Sequence, residues 1–104
     1  MIIAANRIPV IKGREKEFER QFLGRPKLVD MMPGFIRNEF LKPINNDCYI
    51  VLSYWESRED FDAWLKSEAY QKIQARKTNR DLLSGPVQLD LHEVIGISER
   101  VREM

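Results

Sequence analysis

Two periodicities alternate along this chain, one repeating every second residue and one every three to four, and their switches mark the elements. The β-branched and apolar run from Ile2 to Ile11 reads as a strand. Gly13 breaks it, and Arg14-Glu15-Lys16-Glu17 opens a helical stretch in which Phe18 and Phe22 lie one turn apart. Gly24 and Pro26 interrupt that helix, since proline has no N–H for the carbonyl one turn back. Leu28, Val29 and Met32 predict a kinked resumption that Pro33-Gly34 ends. Phe35 to Lys42 reads as a second strand, the Asn45-Asn46-Asp47 cluster as a hairpin loop, and Cys48 to Trp55 as a third strand. Ser57, with Asp60 three residues on, predicts a helix start. Phe61, Trp64 and Leu65 form that helix's apolar stripe, and Ser67-Glu68 restarts it through Tyr70 and Ile73 to about Lys77. Lys77 to Pro86 reads as a polar loop, Val87 to Ile97 as the last strand and residues 98–104 as a charged tail.

The order βαββαβ predicts an α+β, ferredoxin-like fold: a four-stranded antiparallel sheet with two helices on one face, a single domain over residues 1–97. Both faces of that sheet are apolar. The first strand puts Ile2, Ala4, Ile8 and Val10 on one side and Ile3, Ala5 and Ile11 on the other. The third puts Ile50, Leu52 and Tyr54 opposite Tyr49, Val51 and Trp55. Two helices cover one face only, so a homodimer packed through the second face is expected.

Composition narrows the functional classes. The 17 basic and 16 acidic side chains leave a net charge of +1, which offers no electrostatic footprint for nucleic acid or an anionic membrane. One cysteine, Cys48, and one histidine, His92, exclude an internal disulfide and a Cys/His zinc site within one chain. No apolar run approaches the ~20 residues of a membrane span, and MIIAANRIPV does not read as a signal peptide. A cytoplasmic protein is the expectation.

Against this background a few residues break pattern. Asn6 is a polar residue on the face of Ile2, Ala4, Ile8 and Val10, and Asn38 interrupts Ile36 and Phe40. Each reads either as a structural amide or as a donor pointing into a pocket between sheet and helices. Trp64 reads first as a core aromatic, and Tyr70 as a core residue with a wet tip. No phosphate loop, nucleophile elbow or metal-spaced carboxylate set is present.

Four stretches together resemble the antibiotic biosynthesis monooxygenase domain: the opening strand with Asn6-Arg7, Met32-Pro33-Gly34-Phe35, Tyr54-Trp55-Glu56-Ser57, and Phe61-x-x-Trp64-Leu65-x-Ser67-x-x-Tyr70. The resemblance spans about Ile2 to Ile97 and implies homodimers of ferredoxin-like subunits, a dimeric α/β barrel. In heme-degrading members a strand asparagine, a helix tryptophan and a histidine carry activity. Asn6 and Trp64 match the first two, while the histidine position, ten residues after the tryptophan, is Gln74. Heme thus stays open as a ligand without the family's histidine, and no cofactor is fixed. Another branch oxidises aromatic phenols with O2 alone. Trp64 and Tyr70 resemble it, but Asp60 stands where that branch has asparagine. The resemblance implies a monooxygenase acting on a small aromatic or tetrapyrrole molecule between sheet and helices, with Asn6, Trp64 and Tyr70 catalytic and Phe22, Phe61, Leu65 and Gln74 lining the substrate. Its alternatives are a heme-binding protein with other ligation and a binding dimer without catalysis.

Overall fold

The computed structural model describes residues 1–24, 28–75 and 80–101, with the side chains of 28, 73–75 and 80 excepted. Its strands are β1 (Ile2–Pro9), β2 (Phe35–Leu41), β3 (Cys48–Trp55) and β4 (Gln88–Glu93). Its helices are α1 (Glu15–Leu23), α2 (Arg58–Leu65) and α3 (Glu68–Ala75), with 3-10 turns at Leu28–Met31 and Arg80–Leu82. The strands form one antiparallel sheet in the order β2-β3-β1-β4, with the helices packed on one face. The ferredoxin-like arrangement is therefore present.

The barrel is not. The sheet is open, with β2 and β4 as its two free edges rather than hydrogen-bonded to each other. Four strands twisting by roughly 20–25° at each step cannot come round to meet, and small closed barrels use about eight.

Cross-strand register fixes which residues meet the helices, because directly paired residues share a face. Ile2, Ala4, Asn6 and Ile8 pair with Trp55, Ser53, Val51 and Tyr49, and Asn38 and Phe40 pair with Ser53 and Val51. The expected grouping of Ile36 with Asn38 fails at a bulge. The register shifts between Phe35 and Arg37, so Phe35, not Ile36, joins the helix-facing row. Gly34, at φ +81°, leads into this bulge with its Cα against Asp60, where a Cβ would stand 2.2 Å from the carboxyl carbon.

The core forms two clusters over this face. Phe18 and Phe22 of α1 pack on Ile8, Val10, Tyr49 and Val51 together with Leu82. Phe61 and Trp64 of α2 pack on Ala4 and Trp55. Leu82 lies inside the stretch expected to be polar loop and is 1% exposed. Backbone bonds from Ile11 N–H to the Leu82 carbonyl (2.8 Å) and from Ser84 N–H to the Pro9 carbonyl (3.0 Å) hold it there.

The first and last strands are both shorter than the periodicity suggests. Regular pairing along β1 ends at Pro9, which has no N–H to donate. β4 ends at Glu93, opposite Ile2, because its partner strand has no residues left to pair; Ile95 and Ile97 are exposed beyond it. Pro26, Lys77 and residues 102–104 lie outside the described residues, and 98–101 carry no regular structure.

Candidate functional site

The second cluster is built around aromatic rings. Trp55, fully buried on β3, stacks on Trp64 with centroids 6.4 Å apart and meets Phe35 and Phe61 edge-on at 5.4 and 5.9 Å. Trp64 in turn meets Tyr70 edge-on at 5.4 Å. Ser67 sets this last pair. Its hydroxyl donates to the Trp64 carbonyl (2.7 Å) and accepts from the Tyr70 N–H (3.1 Å), which ends α2 and caps α3 in one residue. Ser57 caps α2 by accepting from the Asp60 N–H at 3.2 Å, and its hydroxyl donates to the Asp60 carboxylate at 2.8 Å. Asp60 is thus engaged in capping rather than standing free as a base. Leu65 is half-buried against the same cluster.

Between the clusters the sheet floor turns polar. Asn6 on β1, Ser53 on β3 and Asn38 on β2 are half-buried on the helix-facing side. Ser53 Oγ donates to Asn38 Oδ1 at 2.7 Å. Among the described residues no hydrogen bond engages the Asn6 side chain. The row through Asn6 is open at both edges of the sheet: Phe40 on β2 is 50% exposed and Leu89 on β4 is 46% exposed.

Phe22 belongs to the first cluster, not to the aromatic group of Trp64. It stacks on Phe18 at 5.1 Å and meets Phe40 edge-on at 5.3 Å. A concavity of about 100 Å³ between α1 and the β2–β3 hairpin is lined by Phe22, Phe40 and Tyr49. The Tyr49 hydroxyl at its rim donates to Glu19, which also pairs with Lys42 at 3.1 Å. Burial first, and then this bond to the carboxylate, push the Tyr49 hydroxyl up to about 12. The Tyr49 and Lys42 donors hold the Glu19 carboxyl below its ordinary value. A second concavity, of about 430 Å³, opens at the end of the sheet beside Met1, Glu56, Arg58, His92 and Glu93. Neither concavity is lined by Asn6, Trp64 or Tyr70.

The sequence-predicted residues therefore divide. Trp64, Tyr70, Phe61 and Leu65 come together, Asn6 lies on the neighbouring sheet floor, and Phe22 stands across the floor in the other cluster. Gln74 falls in α3, with its side chain outside the described residues. His92 pairs with Ile3, so it lies on the opposite face of the sheet from Asn6. Among the described residues no three His, Cys, Asp or Glu side chains come together as a metal site. Reading the sequence for single polar breaks overlooked Ser53, the partner of Asn38. The alternation Val51, Ser53, Trp55 carried the signal.

Comparison with known proteins agrees with this architecture. The sequence profile of the antibiotic biosynthesis monooxygenase family matches residues 1–76. A heme oxygenase (mycobilin-producing) of Mycobacterium tuberculosis is 32% identical over 79 residues, covering 75% of each chain. A heme oxygenase (staphylobilin-producing) of Staphylococcus haemolyticus is 32% identical over 91 residues, 84% of this chain and 86% of its own. The structure of the heme-degrader MhuD from M. tuberculosis, with two hemes bound in its active site, superposes with a TM-score of 0.81 at 29% identity. It covers 95% of this chain and 100% of that one. This chain belongs to the antibiotic biosynthesis monooxygenase family and is closely related to its heme-degrading branch.

Proposed function

We propose that the protein is a monooxygenase that seats a planar tetrapyrrole or aromatic substrate, heme foremost, on the polar floor between its two clusters and oxidises it with O2. One observation carries this reading. Asn6 is a half-buried amide on the helix-facing side, without a hydrogen bond among the described residues, beside apolar neighbours that stay exposed. Its amide reaches solvent, so a ligand oxygen takes the place of water there. The kinship with heme oxygenases supports heme as the substrate class.

In this reading Asn6 and the Tyr70 hydroxyl donate to substrate or oxygen atoms, stabilising negative charge as electrons pass to O2. Trp64, packed against Trp55, supplies a wall, with Phe61 and Leu65 beside it and Phe22 facing across the floor. Gln74 is assigned to the substrate lining as a neutral amide, not as an iron ligand. Where heme is the substrate, its own iron and an external reductant would supply the O2 activation, and the one histidine, on the far face of the sheet, would not hold that iron. The acting unit is the domain of residues 1–97, working in the cytoplasm as a homodimer joined through the second sheet face. The apolar strip Ile3, Ala5, Ile50 and Leu52 on that face is flanked by two charged groups. Arg7–Asp90 (3.1 Å) lies on one side and Arg37–Glu39 (3.4 Å) on the other, the apolar-centre, polar-rim layout of a protein interface.

A binding dimer without turnover draws on a different observation: Trp64 is 8% exposed, and neither concavity reaches it. Aerobic incubation with hemin and ascorbate separates the two. The monooxygenase reading expects loss of the Soret band, an open-chain tetrapyrrole by mass spectrometry, and at least a tenfold lower rate in Asn6→Ala. Stable, saturable hemin binding with no product would leave the binding dimer.

A further inference from the structure

We infer that Asn38, oriented by Ser53, is a second polar anchor of the ligand seat and donates its amide N–H to an acceptor oxygen on the edge of a planar ligand. The inference rests on the proposed seat between the clusters. Asn38 lies on the same helix-facing side as Asn6, and its cross-strand partner Ser53 is the residue that also pairs with Ala4. Neighbouring strands lie about 4.8 Å apart, so β2 and β1 stand roughly 10 Å apart across β3. The two asparagines therefore mark opposite sides of one floor, which only a ligand of several fused or linked rings spans.

The hydrogen-bond count gives the amide its direction. An asparagine side chain has an accepting oxygen and two N–H donors. Ser53 Oγ takes the oxygen at 2.7 Å, and among the described residues the two N–H groups have no partner. The pair is flanked along β2 by Phe40, which Phe22 meets edge-on, and along β3 by Trp55, on which Trp64 stacks. Asn38 and Ser53 thus lie on the helix-facing side between residues of the two aromatic clusters. The Asn38 N–H groups reach solvent there and are open to a ligand acceptor. Ser53 acts through Asn38 and is a positioning residue; Asn38 touches the ligand.

The test titrates the full chain with metal-free protoporphyrin IX, read by tryptophan quenching. Asn38→Ala is expected to weaken binding roughly tenfold, the effect of one hydrogen bond worth about 1.4 kcal/mol. Asn38→Asp, which keeps the size and the Ser53 bond but loses the donor, should weaken it at least as much. Ser53→Ala should weaken it about threefold, Ser53→Thr should restore it, and Asn38→Ala with Ser53→Ala should bind no worse than Asn38→Ala alone. A purely structural pair would lower the unfolding midpoint of these variants and leave the dissociation constant unchanged, which would overturn the inference alone. Failure of the unaltered protein to bind the porphyrin saturably would overturn the proposed seat and this inference with it.

Discussion

Tyr49 carries two roles on one side chain. Its ring, 4.9 Å from Phe18, belongs to the core, while its hydroxyl ties β3 to Glu19 of α1 and, through Glu19, to Lys42. Because the folded hydroxyl titrates at about 12 against an ordinary 10.0, the neutral form is favoured in the native state. The resulting stabilisation is complete below pH 10 and is lost as pH rises from 10 to about 12. Tyr49→Phe should abolish that alkaline loss, and its tyrosinate absorbance titration should lack the step near pH 12 seen in the unaltered protein. Asn6 and Trp64 were legible in the sequence for a related reason, since a polar break or a large aromatic at the right period marks its own face. Their neighbours were not. Whether Trp64 meets Trp55, and whether Asn38 finds Ser53, depends on register and on a bulge that no single strand's pattern contains.

At the scale of elements, β3 was legible to the residue, because it is central and its alternation answers to neighbours on both sides. The edge and loop elements were less so. The Ile95 and Ile97 alternation continues past the point where β1 has residues to pair with, so pattern alone extended β4 too far. Leu82 shows the opposite error, a core residue inside a polar stretch. Its burial comes from backbone bonds to residues some 70 positions earlier rather than from local periodicity. Leu82→Ala should cost about 2–5 kcal/mol in urea unfolding, the range for truncating a fully buried leucine. A cost below 1 kcal/mol would mean that the 3-10 turn at Arg80–Leu82 is not part of the core.

For the molecule as a whole, the sheet is open, and its second face carries the apolar strip Ile3, Ala5, Ile50 and Leu52. That much followed from alternation, whereas the expected closure into a barrel did not survive the strand order. Leu52→Glu places a charge at the centre of the proposed interface and should halve the mass measured by light scattering while leaving the far-UV circular dichroism intact. A monomeric mass for the unaltered protein would refute the dimer. The seat between the two clusters is tested by hemin titration followed at the Soret band. Saturable binding is expected, weakened about tenfold by Asn6→Ala and left unchanged by His92→Ala on the opposite face. Unsaturable uptake, or binding lost with His92 and indifferent to Asn6, would contradict it.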